Sequence, residues 1–364
     1  MKEAIVYPDG SVTIQDAAVP TPGPREVLVK VVIAGTNPKD WKWPTLMQRA
    51  QNSGDDVAGT VQEVGSHVCE FRKGDRVAGM HKYSRPHGAF AEYAIVSDSM
   101  LFHVPAGIGF EEAATIPLAA LTAGYGLFHE LGLPAPWDPP RSERTALIVY
   151  GASTAVGAFA IKLARAVRVH PIVAVGSSNS VFVQDYLDEA EGDALIDYRR
   201  HTSNESLATA IRDALADAGV PDGRALLAFD GVSTPDTYDG VLSRAMAGEG
   251  TPRAKIVVVL PVATEGNVDD ENMELTSASC GQSFQGEPFE RRFSLVFFRM
   301  LTDGLRDGWL RGHPYEVKSG GLEGVEAALR EHKEAKVRAK KLLLSIGETP
   351  GLESQRQRRY CTYL

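Results

Sequence analysis

Apolar and polar positions divide the chain into a β-rich first part and a longer part in which strands alternate with helices. Through the first 125 residues, β-branched runs such as EVLVKVVIAG (26–35) and VAGTVQEVG (57–65) are separated by glycines, and GAFAEYAIV (88–96) alternates. These patterns are typical of strands. We therefore predict a compact antiparallel domain, barrel-like in form, over residues 1–125.

A different rhythm begins near Thr145. The strand pattern ALIVY (146–150) leads into a helix, and further strand patterns follow with helical stretches between them: PIVAVG (171–176), ALIDY (194–198), RALLAFDGV (224–232) and AKIVVVLPV (254–262). Repeating βα units predict a parallel sheet with helices on both faces, whose ligands bind beyond the carboxyl ends of the strands. We place this second domain at residues 126–275.

The last part of the chain, residues 276–364, returns to mixed structure. Helical patterns run through FERRFSLVFFRMLTDGLRDGWL (289–310) and GVEAALREHKEAK (324–336), and KKLLLSI (340–346) indicates a closing strand. We predict that this strand rejoins the first domain, so that the nucleotide domain is an insertion. The predicted fold class is α/β, a β-rich domain plus an inserted, doubly wound parallel sheet.

Length and charge exclude several classes of protein. A chain of 364 residues favours two domains. The formal net charge of −9 argues against a protein that binds nucleic acid by neutralising phosphates. No stretch reaches the roughly 18 apolar residues of a membrane span. Because the N-terminus also lacks the apolar core of a signal peptide, we expect a cytoplasmic protein.

The three cysteines, Cys69, Cys280 and Cys361, lie far apart, which leaves neither a disulfide framework nor a cysteine-rich zinc site. Cys361 stands fourth from the end in RQRRYCTYL (356–364), the spacing of a prenylation box. Thr362 and Tyr363 occupy positions that are usually aliphatic, which favours an ordinary polar tail over lipidation.

The segment LIVYGASTAVGAFAIKLA (147–164) runs from a strand through a glycine-containing loop into a helix. The dinucleotide fingerprint G-x-G-x-x-G appears in a variant form, with Ala152, Thr154 and Gly157 at its three fixed positions. Hydroxyl groups and the amides at the helix start then replace the close backbone approach that a middle glycine allows. The alternative is a loop that only caps a helix. We expect the pyrophosphate to contact Gly151, Ser153, Thr154, Ala155, Val156 and Gly157.

The end of the second strand of this domain distinguishes the two nicotinamide dinucleotides. NAD binders place an Asp or Glu there, about 20 residues past the loop, to bind the ribose hydroxyls. Ser177, Ser178 and Asn179 occupy that place, and Tyr198 and Arg199 follow the third strand. Without a carboxylate to repel a 2′-phosphate, the sequence favours NADPH. The alternative is an ordinary turn.

The order of these parts resembles the medium-chain dehydrogenase/reductase superfamily, in which a Rossmann-type domain is inserted into a GroES-like catalytic domain. The resemblance is carried by AGTNPKDW (34–41), DDVAGTVQEVGSHVCEFRKGDRVAG (55–79), GAFAEYAIV (88–96), EEAATIPLAALTAGYGLF (111–128) and GASTAVGAFAIKLA (151–164). These segments look most like the zinc-free quinone oxidoreductases and enoyl reductases. GASTAVG and NPKDW are particularly similar to fungal enoyl reductases that act in trans with polyketide synthases.

The resemblance also implies an expectation about metal. Zinc-containing members carry a cysteine where Asn37 stands, a His-Glu pair where Asp55 and Asp56 stand, and a further ligand near TIPLAAL (115–121), which has neither cysteine nor histidine. A zinc site needs three thiolate, imidazole or carboxylate ligands plus an open position. We therefore predict no metal.

Without a metal, hydride must be delivered to a carbon that is already electrophilic, and hydrogen-bond donors must stabilise the resulting enolate. The resemblance places Asn37, Lys39 and Thr122 around the nicotinamide as the catalytic candidates. Lys39 is either a counter-charge or proton donor to the enolate, or a solvated loop lysine. Asp40 positions Lys39 or caps the following turn.

Other side chains around the expected site leave several interpretations open. Leu260 and Pro261 are expected to offer backbone contacts to the cofactor carboxamide. Water or a tyrosine is an alternative source of the proton, the tyrosines being Tyr83, Tyr93 and Tyr150. The basic run HKEAKVRAKK (332–341) either contacts the cofactor phosphates or is a solvated helix face.

The leading functional hypothesis is an NADPH-dependent, zinc-independent reductase of an activated C=C bond, with an enoyl or enone acceptor. In its narrower form it is a trans-acting enoyl reductase that receives carrier-tethered substrates from a polyketide synthase. The alternatives are an NADPH quinone oxidoreductase, a carbonyl or alcohol oxidoreductase, and a non-catalytic NADPH-binding protein. We expect no nucleic-acid partner and no stable membrane association.

Overall fold

A computed structural model describes residues 1–139, 144–246, 253–260, 273–284 and 288–352, with the backbone alone at 179 and 288–291. The chain folds into two compact units. The first unit comprises residues 1–118 and 283–364, and the second comprises residues 119–282. Within the described ranges, no helix has the length and apolar character needed to cross a membrane.

The first unit is built around a seven-stranded, mainly antiparallel sheet. Its strands are β3 (Glu26–Gly35), β4 (Asp56–Val64), β5 (Arg76–Met80), β6 (Tyr93–Ser97), β7 (Leu101–His103), β14 (Tyr315–Lys318) and β15 (Lys341–Ser345). They are ordered β14-β15-β3-β4-β5-β7, and β6 also pairs with β3. A separate hairpin is formed by β1 (Lys2–Val6) and β2 (Val12–Asp16). The closing strand β15 joins the sheet of the first unit, as predicted, and lies antiparallel to β3.

The second unit contains a six-stranded parallel sheet. Its strands are β8 (Leu147–Tyr150), β9 (Ile172–Gly176), β10 (Ala194–Asp197), β11 (Leu227–Asp230), β12 (Ala254–Val258) and β13 (Met273–Ser277). The spatial order is β10-β9-β8-β11-β12-β13. The chain therefore turns in opposite directions on the two sides of β8. In such sheets this switch point is where a ligand binds.

Nine α-helices lie among the described residues. They are α1 (Lys39–Met47), α2 (Phe110–Ala114), α3 (Pro117–Gly124), α4 (Ala155–Ala166), α5 (Asn204–Asp217), α6 (Pro235–Thr237), α7 (Ser243–Ala245), α8 (Pro288–Asp307) and α9 (Val325–Lys333). α5 buries Leu207, Ile211 and Leu215 against strand residues such as Ile148 and Ile256. These leucines and isoleucine recur every four residues, which places them on one helical face.

The structure confirms the α/β class and departs from the sequence prediction in local detail. The first pair of strands, the sixth parallel strand β13 and the edge strand β14 were not predicted. After β9, where a helical stretch was predicted, the helix that forms over Ser178–Tyr186 is a 3₁₀ helix. The serine and asparagine residues at its start favour local turns over an α-helix, because their side chains compete for backbone groups.

Gly59 provides a stability test of the first sheet. A Cβ atom at Gly59 would lie 2.0 Å from the backbone oxygen of Lys30 on β3. We expect Gly59→Ala to lower the free energy of unfolding by about 2–3 kcal/mol, because the contact is with backbone that cannot move without breaking the ladder. Urea unfolding measures this change.

Gly347→Ala is the matched control, because a Cβ atom there meets nothing within 4 Å. It should change the free energy of unfolding by no more than about 0.5 kcal/mol. Equal effects of the two substitutions would contradict the tight approach of β3 and β4 at Gly59.

Candidate functional site

A cluster of buried charged and amide side chains lies where three strands of the first unit meet. β3 ends at Gly35, which pairs with Asp56 at the start of β4, and Leu343 of β15 pairs with the same glycine. Asn37 and Lys39 follow β3 directly, and Lys341 begins β15. Local sheet register therefore brings together side chains from distant parts of the sequence.

One half of the cluster surrounds Lys39, one of the predicted catalytic residues. Its Nζ lies 2.5 Å from Asp55 Oδ2 and 3.2 Å from Asp40 Oδ1, and it donates to the backbone oxygen of Ser53 at 2.9 Å. The Lys39 side chain keeps 25% of its surface exposed, whereas those of Asp40 and Asp55 are 0% and 1% exposed. Lys39 is thus the member of this half that solvent or a ligand can reach.

Asp40 is the most perturbed carboxyl group of the cluster. Burial raises its pKa to about 7, the nearby carboxylate of Asp55 adds to the rise, and the ammonium of Lys39 opposes it. Asp40 also accepts a hydrogen bond from the backbone N–H of Asn37 at 2.7 Å. The side chain therefore holds the loop that carries both Asn37 and Lys39. The contact with Lys39 agrees with the supporting role considered from the sequence, whereas the backbone group that Asp40 accepts from precedes it and does not belong to the following turn.

The other half of the cluster joins Asn37, Asp56 and Lys341. The Lys341 ammonium forms an ion pair with Asp56 Oδ2 and donates to Asn37 Oδ1 at 3.0 Å. Asn37 Nδ2 donates to the same Asp56 oxygen at 2.9 Å. Asp56 Oδ1 accepts from the backbone N–H of Leu118 at 2.8 Å. All three side chains are buried, and each of them is hydrogen-bonded to the other two, as buried polar groups require partners.

Two histidines lie next to the cluster. His81 Nδ1 is 3.4 Å from Asp55 Oδ1, and its Nε2 is 3.0 Å from the backbone oxygen of Pro86. His332 Nε2 is 2.9 Å from Thr36 Oγ1. Burial and the Lys341 charge lower the pKa of His332 to about 4, so this imidazole is neutral at pH 7.

The positions that carry zinc ligands in related dehydrogenases do not fit a metal in this chain. Asp55 contacts the Lys39 ammonium, and Asn37 and Asp56 both contact the Lys341 ammonium. Those oxygens already face positive charge, and zinc needs at least three ligands directed at one point. Within the described residues, no group of three His, Cys, Asp or Glu side chains could hold a metal ion.

The predicted phosphate loop lies in the second unit, between β8 and α4. Thr154 is the N-cap of α4, and its hydroxyl accepts from the Gly157 N–H at 3.0 Å and donates to the Gly151 oxygen at 2.8 Å. A Cβ at Gly157 would lie 2.3 Å from the Gly151 oxygen. The N–H groups of Ala155 and Val156 lie in the first helical turn, where a phosphate can accept from them. The loop fits a dinucleotide. The Thr154 hydroxyl stabilises its conformation through bonds to Gly151 and Gly157.

The predicted selectivity residues lie at the carboxyl ends of neighbouring strands. Gly176 of β9 pairs with Asp197 of β10, so Ser177 and Ser178 emerge beside Tyr198 and Arg199. Arg199 Nη1 donates to Ser178 Oγ at 3.1 Å, and its guanidinium lies 5.8 Å from the centroid of the Tyr198 ring. The structure thus brings a cation and a hydroxyl together at this edge. The side chain of Asn179 lies outside the described residues.

Sequence analysis did not identify Asp230, which organises the turn after β11. This buried carboxyl group accepts from Thr237 Oγ1 at 2.5 Å and from the backbone N–H groups of Val232 and Ser233 at 2.8 and 2.9 Å. Burial raises its pKa despite these bonds. The detectable signal was an acidic residue ending an otherwise apolar strand, LLAFD (226–230).

The remaining candidates are distributed as follows. Thr122 is buried on α3, one helical turn beyond Leu118. Leu260 follows β12 with 37% of its surface exposed, whereas Pro261 and Cys361 lie outside the described residues. Burial, with Asp230 nearby, raises the pKa of Tyr150 to about 12, which makes it a poor proton donor. Tyr83 packs edge-on against Trp43, with ring centroids 5.2 Å apart.

Comparison with known proteins adds a family relationship to this geometry. The alcohol dehydrogenase GroES-like domain matches residues 23–106. The trans-enoyl reductase fsr4 of Gibberella fujikuroi is 36% identical over 327 residues, which cover 89% of this chain and 92% of that protein. The similarity therefore extends over both units.

Solved structures show the same fold. An alcohol dehydrogenase superfamily protein from Novosphingobium aromaticivorans superposes with a TM-score of 0.76 at 21% identity, over 95% of this chain and 99% of that one. The CurK enoyl reductase superposes with a TM-score of 0.72 at 20% identity, over 94% and 98%. These likenesses confirm the predicted fold class, including its GroES-like domain.

The raised pKa of Asp40 predicts a pH-dependent stability. Because its folded-state pKa lies above its unfolded value, the stability it contributes is present below about pH 4 and is lost as pH rises through about 7. We expect the Tm of the wild-type protein, relative to Asp40→Asn, to fall between pH 5 and 8. Thermal unfolding of both proteins across that range measures the difference.

His332→Gln is the control of opposite sign. The pKa of His332 is lowered, so its contribution is present above its ordinary value of 6.5 and is lost as pH falls towards 4. The wild-type Tm relative to this variant should rise from pH 4 to 7. If the difference in Tm between the wild-type protein and Asp40→Asn does not change with pH, the raised pKa assigned to Asp40 is contradicted.

Proposed function

The chain belongs to the enoyl reductase branch of the medium-chain dehydrogenase/reductase superfamily, whose members are oxidoreductases, and from that premise we propose that it reduces an activated C=C bond with NADPH and without a metal ion. The acceptor is an α,β-unsaturated thioester. The observation that carries this proposal is the cluster of donors and cations formed by Asn37, Lys39 and Lys341. The two lysines contact Asp55 and Asp56, which with Asn37 correspond to zinc-ligand positions in related enzymes.

Lys39 supplies the positive charge in this proposal. Its ammonium lies 2.5 Å from Asp55 Oδ2, and its side chain keeps 25% of its surface exposed, which lets it face the acceptor. Asn37, two residues earlier on the same loop, supplies an amide donor. Aspartates hold both side chains in place, since Asp55 contacts Lys39 and Asp56 accepts from Asn37. The two donors therefore need no reorganisation when negative charge develops on the thioester oxygen.

When bound, NADPH supplies a hydride to the β-carbon of the acceptor. The chain then has two tasks, which are to stabilise the enolate and to let the α-carbon gain a proton. Lys39 serves the first as a counter-charge, and its ammonium or a water molecule serves the second. Tyr150 is disfavoured as the acid, because its pKa is raised to about 12.

The preference for NADPH is proposed from the edge formed by Ser177, Ser178, Tyr198 and Arg199. A 2′-phosphate is recognised by a cation and short hydroxyl donors. The Arg199 to Ser178 hydrogen bond, 3.1 Å long, places such a pair together. Positions 177 and 178, where an NAD binder has an Asp or Glu, are both serines and carry no carboxylate.

The proposed physiological substrate is an acyl chain tethered to the carrier domain of a polyketide synthase. Proteins named trans-enoyl reductases recur among the relatives, including grgB of Penicillium, 28% identical over 91% of this chain and 94% of that protein. An enzyme acting in trans must accept a thioester presented by another protein. A free N-acetylcysteamine thioester carries the same reacting group and is the simplest test substrate.

The first test is NADPH oxidation by an enoyl N-acetylcysteamine thioester, followed at 340 nm. We expect Lys39→Met to lower kcat/KM by about 10²–10³-fold, because the enolate loses its counter-charge. Lys42→Met is the matched control. Lys42 lies one turn away on α1, its residue is exposed, and the substitution should leave the rate unchanged.

Three results would contradict the proposed reaction. One is a wild-type enzyme that reduces quinones but not enoyl thioesters. Another is activity that dialysis against a chelator abolishes and zinc restores. The third is an equal loss of rate in Lys39→Met and Lys42→Met.

The second test concerns the dinucleotide. We expect Arg199→Ala to raise KM for NADPH about tenfold and to leave KM for NADH nearly unchanged, because the guanidinium is assigned in this proposal to the 2′-phosphate, which NADH lacks. Arg200→Ala is the control, since Arg200 is its exposed neighbour. Loss of both cofactors in parallel, or no change with either, would contradict the assignment.

A further inference from the structure

We propose that Lys341 is a positioning residue for the reaction. Its buried ammonium fixes the Asn37 amide so that one N–H of Nδ2 is directed to the oxygen of the acceptor. This inference rests on the proposed function and adds to it a role for Lys341 that neither the family resemblance nor the sequence pattern assigned. In the sequence, Lys341 ends a basic run that suggested a solvated helix face or a phosphate contact.

The burial of Lys341 calls for an explanation. The lysine residue is 3% exposed and Asp56 is 0% exposed. Removing two charges from water is costly, and a buried ion pair is often no more stabilising than apolar residues of the same size. A pair of this kind is therefore better explained by what it orients. Asn37 is the side chain that both members contact.

The ion pair determines which way the amide faces. An ammonium group only donates hydrogen bonds, so the Asn37 atom 3.0 Å from Lys341 Nζ must be the carbonyl oxygen. A carboxylate only accepts them, so the atom 2.9 Å from Asp56 must be the amide nitrogen. Both contacts require the same orientation of the Asn37 amide and exclude the one in which its oxygen and nitrogen are exchanged. Nδ2 carries two hydrogens, and Asp56 takes one.

Other contacts fix the position of the Lys341–Asp56 ion pair. Asp56 Oδ1 accepts from the Leu118 N–H at 2.8 Å, and β15 places Lys341 next to the paired ends of β3 and β4. Removal of the ammonium would leave the Asn37 oxygen without its donor, so that only the contact of Nδ2 with Asp56 would still orient the amide. Because Lys341 is itself buried, its effect reaches the acceptor only through Asn37.

A double-mutant cycle tests this route. We expect Asn37→Ala to lower kcat/KM for the enoyl thioester about 100-fold, the loss typical of one oxyanion donor, and Lys341→Met to lower it about 10–100-fold. If Lys341 acts through Asn37, the double variant should be no slower than Asn37→Ala alone. KM for NADPH should stay within about twofold throughout.

Two further variants separate positioning from folding. Lys341→Met leaves Asp56 buried without its cation, so Asp56→Asn/Lys341→Met, which removes both charges, is measured beside it. We expect the paired substitution to recover the Tm that Lys341→Met loses but not the rate. Lys340→Met is the control, since Lys340 forms an ion pair with Glu316, and it should retain wild-type kcat/KM.

A readout independent of activity uses protein labelled with ¹⁵N-asparagine. The Asn37 side-chain amide, assigned by its loss in Asn37→Ala, should exchange slowly with solvent in the wild-type protein and rapidly in Asp56→Asn/Lys341→Met. Multiplicative losses of kcat/KM in the cycle, or unchanged amide exchange, would overturn the inference. An inactive wild-type protein would overturn the proposed function, and the amide exchange would then still decide whether Lys341 holds Asn37.

Discussion

The buried ion pair of Lys341 and Asp56 is the interaction on which the site depends. It joins the start of β15 to the start of β4, and Asp56 further binds the backbone of Leu118 and the amide of Asn37. Four segments that are distant in sequence thus converge on one carboxylate. Breaking a buried pair by removing one partner costs about 3–5 kcal/mol, so these segments and the pair depend on each other.

The ammonium of Lys39 differs from that of Lys341 in its exposure, although both belong to the same cluster of charges in the first unit. Two lysines and three aspartates lie within a few ångströms, yet only Lys39 is substantially exposed. The buried members hold the loop and set its electrostatics, and the exposed member faces outward. In the proposed function, this arrangement supplies the positive charge and the hydrogen-bond donors that a metal ion would otherwise supply. It suits an acceptor that needs an enolate stabilised but does not need strong activation.

Much of the fold follows from local sequence pattern, because β-branched runs such as those of β3, β8 and β9 are specific to strands. β13 (Met273–Ser277) escaped prediction because its sequence, MELTS, is short and mostly polar. Asn37 and Lys39 were identified through family resemblance. The partner of Asp56 could not be identified in this way, because Lys341 lies 285 residues away and its burial depends on strand pairing. A lysine opening the apolar run KLLLS (341–345) was the one local sign.

The central claim is that this chain transfers hydride to the β-carbon of an enoyl thioester while its own side chains stabilise the enolate. The most direct measurement is mass spectrometry of the product formed with C4-deuterated NADPH, in ordinary water, by chelator-treated protein. The account predicts one deuterium at the β-carbon and a solvent-derived hydrogen at the α-carbon. A product without deuterium at the β-carbon, or no product until zinc is added, would contradict it.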